Sequence, residues 1–240
     1  MDEFEKILRK SSGSMKKWGL LEDGDDVLIG LSGGKDSLAL VEVMAARQKI
    51  FVPRINIMAC HVGVKNVPYK SDIDYLRHFC EERGVEFIYK ETEFELDRHD
   101  GRSPCFLCSW TRRKMLFRTA GELGCNKLAL GHHKDDIVET LLLNEIFTGR
   151  IETMMPRMEM RKFNLTVIRP LCDVREKEIS EMAKAHQYRQ QIKNCPYEDD
   201  GNRRKVKNLV RELEEWNPDV VSSLYGSMFR HGKGDMEEND

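Results

Sequence analysis

The sequence predicts an α/β protein built on an open five-stranded parallel sheet with helices on both faces, followed by a helical C-terminal region. Two observations lead there. Five apolar, β-rich stretches, VLIGLS (27–32), INIMACHV (55–62), VEFIYK (85–90), KLALGH (127–132) and LTVIRPL (165–171), are separated by segments of helical period. Strands that alternate with helices form a parallel sheet covered on both faces. Past residue 172 only helical patterns follow.

The elements can be justified in order. The opening MDEFEKILRK is charged and amphipathic and reads as an N-terminal helical segment over residues 1–24. It lacks the apolar centre of a secretory signal, and no apolar run approaches the roughly 20 residues of a membrane span, so a cytoplasmic protein without a membrane partner is expected. SLALVEVMAARQ follows the first strand. SDIDYLRHFCEERG follows the second, with Ile73, Leu76, Phe79 and Cys80 at helical spacing. TRRKMLFRTAGELG and DDIVETLLLNEIFTG supply the next two helices. GRIETMMPRMEMRKFN (149–164) has no clear period and is expected to be a flexible joint. REKEISEMAKAHQ, NRRKVKNLVRELEEW and PDVVSSLYGSMF complete the helical set. The expected organisation is a nucleotide-binding domain over 25–172, a helical region over 173–230 and an acidic tail over 231–240.

Composition narrows the partners. The formal charge of −2 argues against a generally basic nucleic-acid coater, so nucleic-acid contacts must come from local patches. Arg112, Arg113, Lys114 and Arg118 form one basic cluster on an expected helix. Residues 189–211, with Arg203, Arg204 and Lys205 at their centre, form another. Both suit phosphate contacts to a nucleic acid, and a solvated helix face is the alternative for each. The 7 cysteines are too scattered for a disulfide framework. One close pair exists, Cys105 and Cys108, a spacing shared by zinc sites, iron–sulfur sites and redox dithiols. No second close pair accompanies it, only the distant Cys195 in KNCPY.

The strand-to-helix turn GLSGGKDSLAL (30–40) carries the most specific chemistry. It lies at the carboxyl end of a parallel strand, where α/β sheets collect ligands. Gly33 and Gly34 allow close backbone approach, so that successive N–H groups and the helix dipole can face a phosphate. Lys35 adds a charge, and Ser32 and Ser37 add hydroxyls. The spacing is not that of the nucleotide P-loop, since three residues rather than four separate Gly30 from Gly34, and Asp36 follows the lysine. GHHKDD (131–136) ends another strand on the same edge. Asp135 and Asp136 there either cap a helix or hold Mg²⁺ beside a triphosphate.

SGGKDS at 32–37 is the pyrophosphate-loop signature of the ATP pyrophosphatases, which split ATP between its α and β phosphates. With PCFLCSWTRRKMLFRTAGELG (104–124), ALGHHKDDIVETLLLN (129–144), IRPL (168–171) followed by REKEI, and the isolated Cys195, the chain resembles the tRNA 2-thiocytidine synthetase family from about residue 25 to about residue 215. The resemblance implies an N-type ATP pyrophosphatase fold of the Rossmann-like HUP kind. It implies ATP and Mg²⁺ bound by Ser32, Gly33, Gly34, Lys35, Asp36, Ser37, Gly131, Asp135 and Asp136, with adenine received by the backbone of Cys60, His61 and Val62. Lys35, Asp36 and Asp136 would carry catalysis. Cys105, Cys108 and Cys195 would hold a [4Fe–4S] cluster with one iron open to a non-protein ligand. The implied reaction adenylates the C2 oxygen of a cytidine in tRNA, then replaces it by sulfur from the cluster. Expected partners are tRNA and a sulfur donor, either sulfide or sulfur derived from a cysteine desulfurase, with a homodimer as one expected assembly. Two further readings share parts of this chemistry: another adenylating pyrophosphatase of the lysidine-synthetase or amide-forming kind, and a nucleotide-binding iron–sulfur sensor without turnover. The former use no cluster, so the cysteines weigh against them.

Overall fold

The computed structural model describes residues 2–50, 52–67, 71–93, 104–189 and 201–229. Six strands form one sheet in the order β3-β2-β1-β4-β6-β5. They are β1 (Asp25–Gly30), β2 (Ile55–Val64), β3 (Glu86–Thr92), β4 (Lys127–Ala129), β5 (Arg157–Met160) and β6 (Leu165–Ile168). The five expected strands are all present and mutually parallel. The sixth corrects the expectation of a joint at 149–164. There β5 runs antiparallel to β6, pairing Arg157 with Ile168 and Met160 with Leu165. A four-residue edge strand reading RMEM is too short for a period and carries the charges that edges use against further pairing.

The chain divides into two units. The first comprises residues 1–133 and 155–199 and contains the whole sheet with α1 (Glu3–Lys17), α2 (Lys35–Gln48), α3 (Ile73–Glu81), α4 (Pro104–Glu122) and α6 (Glu176–Ala185). Thus α1 from the N-terminal segment and α6 from the C-terminal helical stretch both lie with the sheet. Strand alternation splits its core in two. Val27, Ile29, Ile57, Ala129 and Ile168 pack with Leu38, Val41, Leu76, Ile179 and Met182 from α2, α3 and α6. Their neighbours Leu28, Cys60, Leu128 and Val167 point the other way, onto Phe117 and Ala120 of α4. Successive side chains of a strand face opposite sides, so near-continuous apolar runs are what a sheet covered on both faces requires. Each fully buried Leu or Ile contributes about 1.5–3 kcal/mol.

The second unit comprises residues 134–154 and 200–240 and contains α5 (Lys134–Thr148), α7 (Gly201–Trp216) and α8 (Val220–Ser227). Its buried residues include Ile137, Val138, Leu141, Val206, Val210, Val221 and Tyr225. Val206 and Val210 lie four apart on α7, the spacing of one helix face. Lys134 Nζ sits 5.1 Å from the Tyr225 ring centroid. Among the described residues no helix is long and apolar enough to cross a membrane.

Candidate active site

The loop after β1 is built by glycine and serine. Gly33 has φ +87°, in the left-handed region where a side chain is strained. Gly34 opens α2 with extended dihedrals, and no side chain caps the helix. The Lys35 and Asp36 amides and the positive end of the helix dipole suit an anion, while the Ser37 amide donates to the Gly34 carbonyl at 3.1 Å. Ser37 braces the turn. Its Oγ accepts from the Gly33 amide at 3.2 Å, donates to the Gly34 carbonyl at 2.8 Å and lies 3.1 Å from Ser32 Oγ.

Lys35 does not extend into solvent. Its Nζ donates to Asp36 Oδ1 at 2.9 Å and to Glu176 Oε1, from α6, at 3.2 Å. Burial works against its charge, but the two carboxylates outweigh burial and its pKa is raised above the ordinary lysine value. The ammonium is therefore charged at neutral pH. A cavity of about 990 Å³ opens over Gly33, Gly34, Lys35 and Asp36, walled on its far side by Ser180, Lys184 and Arg189.

The second edge of the site comes from β4. Gly131 packs on the loop itself: a Cβ there would lie 2.9 Å from the Asp36 carbonyl oxygen. His133 is buried, with Nε2 3.8 Å from Asp36 Oδ1. Arg169 is buried too and ties this edge to its neighbours. Its Nε donates to His132 Nδ1 at 3.1 Å, and its Nη1 donates to the Met155 carbonyl.

β2 runs on to Val64, so Cys60, His61 and Val62 lie within the strand and not at its end, and the side chain of His61 also takes part. Burial lowers its pKa, with the Leu31 carbonyl hydrogen bond opposing and Arg112 adding to the effect. A neutral ring whose Nδ1 lies 2.7 Å from the Leu31 carbonyl must donate there, which leaves Nε2 as an acceptor. His61 and Arg112 line one cavity of about 230 Å³ with Gly63, Val64 and Tyr89. Cys60 and Val62, its neighbours, are buried in the core on the α4 side.

Arg112 belongs to the helix that carries the cysteine pair. Among the described residues α4 spans Pro104–Glu122, so it reaches ahead of the segment expected to be helical from residue 111 and carries both Cys105 and Cys108. The i, i+3 spacing sets both thiols on one face. Both are half-buried and neither is in a disulfide. Two accessible thiols one turn apart suit a cluster or a soft metal. Among the described residues no three His, Cys, Asp or Glu side chains gather at a point that could hold a metal ion. Cys195 lies outside the described residues.

Asp135 and Asp136 fall in the first turn of α5, in the second unit. Within that unit Arg203 Nη2 lies 2.8 Å from Asp136 Oδ1, and Arg203 Nε lies 3.7 Å from Glu139 Oε2. Arg203, expected as an RNA contact, is exposed like Arg113, Arg204 and Lys205, and its guanidinium also engages these acids.

With this geometry in place, three similarities bear on the family. A family profile described as a PP-loop domain matches residues 4–213. The tRNA-cytidine(32) 2-sulfurtransferase of Geobacter sulfurreducens is 35% identical over 227 residues, covering 92% of this chain and 88% of that protein. Its counterpart in Yersinia pseudotuberculosis serotype IB is 33% identical over 233 residues, covering 95% and 74%. The chain belongs to the PP-loop family, in its tRNA 2-thiocytidine synthetase branch. Among solved structures, the U34-tRNA thiolase NcsA from Methanococcus maripaludis with its [4Fe-4S] cluster matches with a TM-score of 0.77 and 28% identity, covering 95% of this chain and 78% of that one.

For a PP-loop protein, Glu176 is the residue that sequence reasoning passed over. Its signal was present: an acid in REKEI, within a helix-start pattern that follows the last central strand. The remaining cysteines are set apart by burial. It pushes the thiol of Cys60 up to about 11, that of Cys80 up to about 12 and that of Cys125 up to about 11. Thiolate is the nucleophile, so at a pH of about 7.5 these three are expected to resist iodoacetamide in the folded, cluster-free protein while Cys105 and Cys108 are alkylated. Peptide mass spectrometry after native labelling checks this, and label on Cys60 at the rate of Cys105 would contradict it.

Proposed function

We propose that this chain is an ATP-dependent tRNA sulfurtransferase that converts a cytidine to 2-thiocytidine. The observation that carries the reading is the union, in one folded unit, of the braced Ser32–Ser37 loop with a half-buried Cys105–Cys108 pair. The first suits pyrophosphate and the second suits sulfur chemistry. The names of the relatives accord with both.

The C2 carbonyl of cytosine has no leaving group that sulfur could displace, so it must first be activated. Its oxygen attacks the α-phosphorus of ATP, the bond to the bridging oxygen breaks, and pyrophosphate departs with that electron pair. Lys35, the loop amides and the N-terminus of α2 neutralise charge on the departing pyrophosphate; Asp135 and Asp136 would hold Mg²⁺. Such transfer depends on positioning and charge neutralisation. A sulfur nucleophile then adds to C2, AMP leaves with the former carbonyl oxygen, and a proton is lost to restore the aromatic ring. Cys105, Cys108 and Cys195 would hold the cluster. When bound, a three-cysteine [4Fe–4S] cluster supplies an iron not taken by cysteine, suited to holding the sulfur that is delivered. His61 and Arg112 shape the cavity beside the cysteine helix. Arg113, Arg204 and Lys205 would meet tRNA phosphates without reading bases. The sulfur donor is sulfide or desulfurase-derived sulfur, and the setting proposed is the cytoplasm, with a homodimer as the working assembly.

The test is nucleoside mass spectrometry of tRNA incubated anaerobically with cluster-loaded protein, ATP, Mg²⁺ and sulfide. A mass gain on cytidine equal to the exchange of one oxygen for one sulfur is expected only when ATP is present. Sulfur transfer without ATP, or none in any tRNA despite an intact cluster, would move the reading to another acceptor.

A further inference from the structure

The loop lysine of this site is held by a carboxylate from another helix, and that carboxylate is at first sight misplaced. Glu176 lies beside the seat proposed for a triphosphate, where a negative charge opposes ATP. Its placement is nonetheless firm. It is the first residue of α6, whose Ile179 and Met182 are buried in the core shared with α2. The α6 start is tied by Glu178 Oε2, which accepts from the Arg175 amide at 3.0 Å, and Ser180 Oγ donates to the Glu176 carbonyl at 2.9 Å. Acids are favoured in the first turn of a helix, so the carboxylate is stable where it stands.

An ammonium has three N–H donors. Two of those on Lys35 go to Asp36 and Glu176, at 2.9 and 3.2 Å. A lysine otherwise swings on a flexible four-carbon stem. Two fixed acceptors on different elements remove that freedom, and the direction of the third N–H is then set.

We propose that Glu176 is a positioning residue for Lys35: it fixes the ammonium so that its remaining N–H serves the departing pyrophosphate. The inference rests on the adenylating function proposed above and adds a residue to it. Because Glu176 repels the triphosphate while orienting the cation that stabilises its cleavage, its loss has opposite effects on binding and on turnover. Glu176→Gln keeps the shape and removes the charge. ATP should then bind as tightly as before or more tightly, while turnover of pyrophosphate release falls by about 10- to 100-fold, the range for misplacement of about an ångström.

The experiment uses cluster-loaded full-length protein with tRNA, and measures pyrophosphate release together with ATP affinity by calorimetry. It compares wild type, Glu176→Gln, Lys35→Ala and the double variant. Coupled residues give non-additive effects, so in the Lys35→Ala background Glu176→Gln should cause no further loss of turnover. An equal fold-loss in both backgrounds would overturn the proposal. So would weakened ATP binding with unchanged turnover, which is the pattern of uniform binding. Glu176→Asp, which retains the charge, serves if Glu176→Gln is poorly folded by its thermal midpoint. It should show its turnover loss only when Lys35 is present. If wild type itself releases no pyrophosphate, the adenylating function fails instead. The calorimetric arm still judges the pairing, because Glu176→Gln must change ATP affinity differently with and without Lys35.

Discussion

Lys35→Ala should slow pyrophosphate release by about 10²- to 10³-fold, equivalent to roughly 3 to 4 kcal/mol of lost transition-state stabilisation. The size follows from where the charge sits. The ammonium is partly withdrawn from water, stays protonated because Asp36 and Glu176 outweigh its burial, and stands at the mouth of a helix that no side chain caps. A donor fixed in place costs little reorganisation as charge develops. Cluster content should be unchanged, since Lys35 lies on α2 and the cysteine pair on α4. Stopped-time assay of pyrophosphate in the presence of tRNA reads the result. Release at the wild-type rate would show that the loop is not the pyrophosphate cradle.

Replacement of Cys105 or Cys108 by alanine should abolish thiolated product, with loss of the broad absorbance near about 400 nm expected of a thiolate-held cluster. ATP binding should survive, because the loop is braced by Ser32, Ser37 and Gly131 and not by either cysteine. The same loss is expected for Cys195→Ala. Cys80→Ala supplies the control: that thiol is fully buried in the core with α2 and α3 and should leave the absorbance intact. Anaerobic spectra with iron and sulfide analysis decide the matter. A full cluster in Cys108→Ala would remove the pair from the ligand set.

The fold was legible because the central parallel strands β1, β2, β4 and β6 are buried on both faces and read as short apolar runs between helical segments. β5 was illegible for the opposite reason. Arg157 to Glu159 are exposed, so no burial imposes a period on them. The loop was legible residue by residue, since Gly33 answers to backbone geometry and Ser37 to local hydrogen bonds. Partners supplied by distant elements were not. Nothing local in SGGKDS points to Glu176, and nothing in NRRKVK shows that Arg203 pairs with Asp136. The cysteines were legible as a pair, but their place on α4 was not, because the helical pattern is clear only from residue 111 onward.

The separation along the chain of the parts that meet at Lys35 bears on how the protein matures during synthesis. Its partner Glu176 lies 141 positions later, and Gly131, which closes against the loop, follows β4. β4 also pairs directly with β1, aligning Leu28 with Leu128. Contacts this far apart form only after long loops have closed, and a ribosome adds about 5–20 residues per second. An emerging chain therefore displays its glycine turn many seconds before the turn is seated. Nascent and prematurely terminated chains that stop short of α6 lack the second acceptor for the lysine, so the ammonium is fixed only once α6 has been made.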